Sequence, residues 1–201
     1  MKWISEKLTR YIIKAGAASE ELYEVYQYGF QMVLEMLCCF SICFATAIYL
    51  HLVWEFLIST GIFMMLRTYA GGVHLNHFIS CFLCSITVQL AILVLNDKYQ
   101  FSISISWVII LISSILIWSF APVESINREL DKEEKAHCKK VTLKVIVVLL
   151  ILAGCFTFID NKNIVSLITF TVAVVFISQC IGIIKYRAEK ALWNHNCSKH
   201  F

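Results

Sequence analysis

Between residues 2 and 27, apolar positions recur at helical spacing. Trp3, Ile4, Leu8, Tyr11, Ile12, Ala15, Leu22, Val25 and Tyr26 share one face, while Lys2, Glu6, Arg10, Lys14, Glu20, Glu21 and Glu24 fall largely elsewhere. The pattern predicts an amphipathic helix over 1–28 lying along a membrane interface, with Gly16 a place where it can break in two. The other reading of that face is a docking surface for an amphipathic partner segment. From residue 30 onward the alternation gives way to long apolar runs. Six spanning segments are predicted, at about 30–50, 52–66, 77–95, 101–121, 141–159 and 164–184. The second is short and starts with Trp54 and Glu55. A hydrophilic loop, Pro122–Lys144, separates the fourth from the fifth. The expected fold is an all-α polytopic membrane protein, one domain over 1–201, with spans within 30–184 and a basic cytoplasmic tail at 185–201.

Composition agrees. A chain 59% hydrophobic and 15% charged, with one proline and a mean hydropathy of +0.74, is no ordinary soluble domain. The net charge of +3 hides an asymmetry that orients the spans. Fifteen of the seventeen Lys and Arg residues fall in the N-terminal segment, the 67–76 loop, the 122–144 loop and the tail. Only Lys98 and Lys162 lie on the opposite side. Positive charge is retained in the cytoplasm, so both termini and both loops are expected there. Basic residues cluster at segment ends without a recognition motif, which discounts nucleic acid as a partner. The N-terminus lacks the apolar core and cleavage site of a signal peptide, and is expected to be retained. The nine cysteines are odd in number and mostly in apolar runs. Most are expected to be reduced, small buried hydrophobes.

One stretch departs from the apolar background. Arg67–Cys84 reads R-T-Y-A-G-G-V-H-L-N-H-F-I-S-C-F-L-C and holds the only adjacent glycines, Gly71 and Gly72. It also holds His74, His77, Cys81 and Cys84. Polar groups cost several kcal/mol beside hydrocarbon unless protein buries them or they line a wet cavity. If the third span begins at His77, capped by Asn76, then Cys81 lies one turn inside on the face of His77 and Cys84. His74 would be roughly 10 Å away along a continuous helix. Spacing alone therefore pairs Cys81 with His77. Pairing with His74 needs the chain to leave the helix and fold back, for which Gly71-Gly72 provides the freedom. A histidine partner raises the thiolate fraction of a cysteine, and a thiolate can attack an acyl carbon and hold the product as a thioester. The same four residues also offer ligand types for zinc or copper, though not in a familiar spacing. As a third reading, His77, Cys81 and Cys84 are small polar residues packed between spans. Glu35, about one turn inside the first span, either pairs with Arg67 or lies near enough to the interface to stay wet.

The pattern R-x-x-A-G-G-x-H-x6-C, formed by Arg67, Ala70, Gly71, Gly72, His74 and Cys81, resembles the signature of the accessory gene regulator B (AgrB) family. Ala121-Pro122-Val123-Glu124 followed by Asn127 is similar to that family's A-P-V-[DE]-x-x-N-[KR] stretch. Tyr28-Gly29-Phe30-Gln31 is a weaker match at the entry to the first span. The family's length and multi-span layout cover the whole chain. The resemblance implies a membrane cysteine endopeptidase of the bacterial cell membrane that processes a quorum-sensing propeptide. His74 and Cys81 would then be the catalytic pair, without metal or cofactor. His77 is left as a backup base and Cys84 as a neighbouring thiol. Gln31, Glu35 and Glu124 are candidates to orient the histidine.

The implied substrate has an amphipathic N-terminal helix, a central cysteine or serine and an acidic tail. Arg67, Lys139 and Lys140 could attract that tail. The product would be a thiolactone or lactone, and a homodimer is expected by family analogy. Two other functions stay open beside this one. One is a metal-dependent membrane hydrolase or metal carrier using His74, His77, Cys81 and Cys84. The other is a non-catalytic peptide exporter or scaffold.

Overall fold

The computed structural model describes residues 2–73, 78–123 and 131–197. All regular structure among them is helical: α1 (Lys2–Lys14), a 3-10 turn at Glu20–Leu22, α2 (Tyr23–Tyr49), α3 (Val53–Ala70), α4 (Phe78–Lys98), α5 (Ile103–Phe120), α6 (Lys132–Phe158) and α7 (Lys162–Cys197). The all-α expectation holds. Among the described residues four segments are long and apolar enough to cross a membrane: Glu20–Tyr49, Ile103–Phe120, Lys132–Phe158 and Lys162–Ala191. The expected second span is α3, only 18 residues long and carrying Glu55 and Arg67, so it falls outside this group. The expected third span falls on α4, which starts at Phe78, next to residues that are not described.

The bundle is built around α7, which touches α3, α4, α5 and α6. The run Ile164–Thr169 is buried on every side, as befits a helix that is apolar all round. Its polar members satisfy themselves locally: the hydroxyl groups of Thr169 and Thr171 donate to the carbonyls of Val165 and Leu167. Against it α5 turns the buried Ser106, Ser113 and Ser114, small side chains that let two backbones approach closely. Outside, Met36, Leu37, Val108, Ile115, Val148 and Ile151 are exposed. In water this would be an aggregating surface; against lipid it is the expected one.

The element ends correct several sequence boundaries. The amphipathic segment expected over 1–28 breaks in two around Gly16, the place expected for it: α1 ends at Lys14, Gly16 takes a positive φ of 71°, and Tyr23–Tyr28 open α2. The hydrophilic stretch expected as a loop to Lys144 is helical from Lys132. Asp131 caps the helix and Glu134 reaches back to the Asp131 N–H at 3.2 Å, a reciprocal capping box. The tail expected from 185 continues α7 to Cys197. Lys185 pairs with Glu189 at 3.6 Å, and no glycine or proline falls within 185–197. Cysteines expected to be buried are not all so: Cys43 is, but Cys84 and Cys155 face outward. A thiol is weakly polar and tolerates lipid as well as a core.

At the end of the bundle where α3 and α7 begin, polar side chains knit three helices. Asn163 donates to Glu55 at 3.0 Å and accepts from Asn96 at 2.6 Å. One helical length away, α3 ends at the Gly71-Gly72 turn.

Candidate functional site

α3 stops at Ala70 because Gly71 adopts φ 81° and ψ −171°, a conformation that essentially only glycine tolerates. Space enforces the same choice. A Cβ on Gly71 would lie 2.6 Å from the carbonyl oxygen of Val123. At Gly72 it would lie 2.8 Å from Arg67 Nη1 and 2.9 Å from Ser178 Oγ. The turn is packed by backbone and fixed side chains on both sides.

Two groups of residues hold it. From the α5–α6 connection, the Val123 N–H donates to the Ala70 carbonyl at 3.0 Å. From α7, Gln179 Nε2 donates to the same carbonyl at 2.9 Å. Gln179 is fully buried. Arg67 Nη1 donates to Ser178 Oγ at 2.9 Å and its Nη2 to the Val73 carbonyl, while the Val73 N–H approaches Ser178 Oγ at 3.4 Å. Gly182 completes the contact: a Cβ there would stand 2.9 Å from the backbone of Gly72. Ser178, Gln179 and Gly182 lie within little more than one turn of α7 and had no place in the sequence reading. The signal available was a serine, a glutamine and a glycine in an otherwise apolar span, with Ser178 and Gly182 at i, i+4.

The structure thus brings Arg67, Gly71 and Gly72 together, and joins them to the 121–123 stretch. The guanidinium of Arg67 also lies 5.9 Å from the Phe63 ring. Its described hydrogen bonds, to Ser178 and Val73, tie α7 and the far side of the turn to α3. Lys139 likewise stacks over Trp118, 5.1 Å from the ring centre, whereas Lys140 is exposed. Of the basic residues expected to meet an acidic tail, Lys140 is the one left outward.

Gln31 and Glu35 form a pair of their own on α2, Gln31 Nε2 donating to Glu35 Oε1 at 2.9 Å. Glu35 is buried. The amide one turn earlier on the same helix thus gives the buried carboxylate a hydrogen-bond partner. α2 packs against α4, the helix whose first turn includes Cys81.

His74, His77 and Glu124 lie outside the described residues, as does the side chain of Cys81. The chain leaves the helix at Gly71 and residues 71–73 are not helical; the stretch from 74 to 77, on which pairing with His74 depends, lies outside the described residues. Cys84 is exposed one turn after Cys81 on α4. Beside the turn, a cavity of about 410 Å³ is lined by Thr68 and Tyr69 of α3 and by Glu133, Glu134, His137 and Cys138 of α6.

Residues 5–183 match the model of the family described as accessory gene regulator B. The chain is 30% identical over 142 residues to a protein of Halalkalibacterium halodurans, covering 70% of each. It is 27% identical over 157 residues to one of Clostridium perfringens, covering 74% of this chain and 72% of the relative. Both carry the name "Putative AgrB-like protein". No solved structure matches.

Proposed function

The chain belongs to the accessory gene regulator B family, and from that premise we propose that it is a membrane cysteine endopeptidase that cuts and cyclises a quorum-sensing propeptide. Family membership and the apolar helices give the coarser statement directly: this is a membrane protein of accessory gene regulator signalling. The observation that carries the finer reading is the bond from Val123 to Ala70. It ties the A-G-G stretch before His74 to the A-P-V stretch before Glu124, so two segments far apart in sequence serve one locus.

In this reading the Cys81 thiolate attacks the carbonyl carbon at the end of the future ring, and the peptide C–N bond breaks. His74 gives a proton to the departing amine, and the C-terminal fragment leaves. The remaining peptide is held on Cys81 as a thioester. The peptide's own thiol or hydroxyl then attacks that thioester, passing its proton to His74 and releasing the Cys81 thiolate. A thiolactone or lactone results, and the acyl group stays activated throughout, so no ATP is consumed. Burial in protein slows competing attack by water. The substrate is a propeptide with an amphipathic helix and an acidic tail, met at the cytoplasmic face, where outward lysines such as Lys140 attract the tail. Two copies of the chain form the working unit by analogy with the family.

The test is cleavage of such a propeptide in liposomes, followed by mass spectrometry. Wild type is compared with Cys81→Ala, Cys81→Ser, His74→Ala and His77→Ala, with and without chelator. Loss with Cys81 or His74 changed, an acyl adduct on Cys81 and no chelator effect are expected. Activity in His74→Ala with loss in His77→Ala would assign the base to His77. Cleavage by Cys81→Ala would end the peptidase reading, and chelator sensitivity would then favour a metal site.

A further inference from the structure

One group has no part in the proposed chemistry: the polar turn of α7 at Ser178, Gln179 and Gly182, set in the helix around which the bundle is built. Gln179 is fully buried and Ser178 half-buried, and polar groups so placed are costly unless they are hydrogen-bonded. Gln179 has one buried partner, the Ala70 carbonyl, and its Oε1 has none among the described residues. Ser178 has two, and they lie on either side of the Gly71-Gly72 turn. Arg67 Nη1 donates to it from the last turn of α3 at 2.9 Å. The Val73 N–H approaches it at 3.4 Å from beyond the turn. A hydroxyl oxygen has two lone pairs, so both can be accepted at once.

We propose that Ser178 is a positioning residue for the reaction: by holding Arg67 and Val73 to one oxygen it fixes the backbone from which His74 follows. This rests on the reading of His74 and Cys81 as a catalytic pair. Val73 is the last described residue before His74, and consecutive Cα atoms are only about 3.8 Å apart. Whatever sets Val73 therefore sets where His74 starts. Gly182 supports the same task by space alone. It admits the Gly72 backbone so closely that a Cβ would stand 2.9 Å from the Gly72 carbonyl carbon and 3.1 Å from the Val73 nitrogen. Ser178 holds the turn by hydrogen bonds and Gly182 by the absence of a side chain. α7 thus carries a template for the turn that leads to His74.

The experiment is alkylation of the full chain in vesicles by iodoacetamide across a pH series, with Cys81 and Cys84 followed separately by mass spectrometry. It needs no propeptide. Wild type, His74→Ala, Ser178→Ala, Gly182→Ala and Gly154→Ala are compared. Gly154 is also helical, but a Cβ there meets nothing within 4 Å, so that variant controls for the substitution itself. A histidine partner favours the thiolate, so the Cys81 profile of His74→Ala should move to higher pH. Ser178→Ala and Gly182→Ala should move it the same way by about one pH unit. That corresponds to about tenfold slower alkylation at neutral pH. Cys84 and the Gly154→Ala profile should stay in place. A general loosening of the fold would instead change Cys81 and Cys84 together.

A wild-type Cys81 profile in Ser178→Ala, beside a shifted His74→Ala, overturns the role of Ser178. An unshifted His74→Ala instead sinks the catalytic pair itself, and so separates that failure from this one. Should Ser178→Ala not assemble in vesicles, Gly182→Ala decides in the same way. It presses on the same turn while improving the helix propensity of α7.

Discussion

The Ala70 carbonyl oxygen accepts the backbone N–H of Val123 at 3.0 Å, and the Val123 carbonyl oxygen in turn stands where a side chain on residue 71 would have to go. A chain that must turn at 71 and lie against 123 has room for hydrogen alone. Gly71→Ala meets two penalties, a conformation worth about 1–3 kcal/mol against a non-glycine residue and a 2.6 Å clash with a backbone atom. The expected result is lower thermal stability in detergent together with loss of propeptide cleavage at temperatures where the variant is still folded. Cleavage at the wild-type rate would show that the turn does not govern the site.

Gln179 offers a test of the same oxygen from the other side. Gln179→Glu keeps size and shape but replaces a donor by a group that, ionised, can only accept, facing a carbonyl. Gln179→Met keeps length and leaves Ala70 its bond from Val123. A buried group left without its partner costs about 1–3 kcal/mol, and a charged one more. Gln179→Glu is therefore expected to lower the melting temperature more than Gln179→Met. Equal effects of the two would mean that packing, not the hydrogen bond, is what Gln179 supplies.

Much of this molecule could be read from sequence, because membrane spans announce themselves. Runs of some twenty apolar residues gave the helices, although α3 runs on to Ala70, past the expected end at 66. Three things escaped for physical reasons. The capping box of Asp131 and Glu134 was visible in the letters, but the charged run around it reads as loop by composition, and α6 therefore starts well before the expected 141. The continuation of α7 beyond 184 depends on pairs such as Lys185–Glu189, which a hydropathy pattern does not register. The role of Ser178, Gln179 and Gly182 depends on which residues of α3 come to lie beside them, more than a hundred positions earlier in the chain. Arg67 shows the same limit. Its charge was legible as a handle for an acidic substrate, yet its described hydrogen bonds go to Ser178 and Val73.

At the opposite end of the bundle, Asn163 ties α7 to α3 and α4 by donating to Glu55 at 3.0 Å and accepting from Asn96 at 2.6 Å. Its replacement by leucine keeps the branched shape and removes these bonds, along with a longer one from Gln100 at 3.5 Å. Polar contacts between membrane helices average about 0.6 kcal/mol, with a maximum near 1.7. Asn163→Leu should thus lower stability by about 0.5–2 kcal/mol and leave the cleavage rate of the folded protein unchanged. Thermal unfolding and the liposome assay, run on one preparation, separate the two effects. A lost rate with unchanged stability would couple this end of the bundle to the turn.

α1 presents three faces, and their order makes a prediction about depth. Ser5 and Thr9 are fully buried, and the Thr9 hydroxyl is satisfied by the Ser5 carbonyl at 2.8 Å, so a small polar stripe can lie against α2. Ile4, Leu8 and Tyr11, at helical spacing, are exposed, as is Trp3 at 69%. Lys7, Arg10 and Lys14 occupy the next stripe, to which Trp3 also belongs by spacing, its ring centre 5.3 Å from Lys7. In water a helix would bury the apolar stripe and expose the serine and threonine. The reverse arrangement suits a helix in the headgroup layer, with its apolar stripe toward acyl chains and its basic stripe among anionic headgroups. Fluorescence of the full chain and of Trp3→Phe, measured in vesicles with lipids brominated at successive depths, isolates the Trp3 signal by difference. Quenching should be strongest for bromines near the top of the acyl chains. It should weaken when Arg10 and Lys14 are both changed to glutamine in anionic vesicles. A Trp3 signal untouched by every brominated lipid, but sensitive to a water-soluble quencher, would put α1 in the aqueous phase and leave its apolar stripe available to an amphipathic peptide instead.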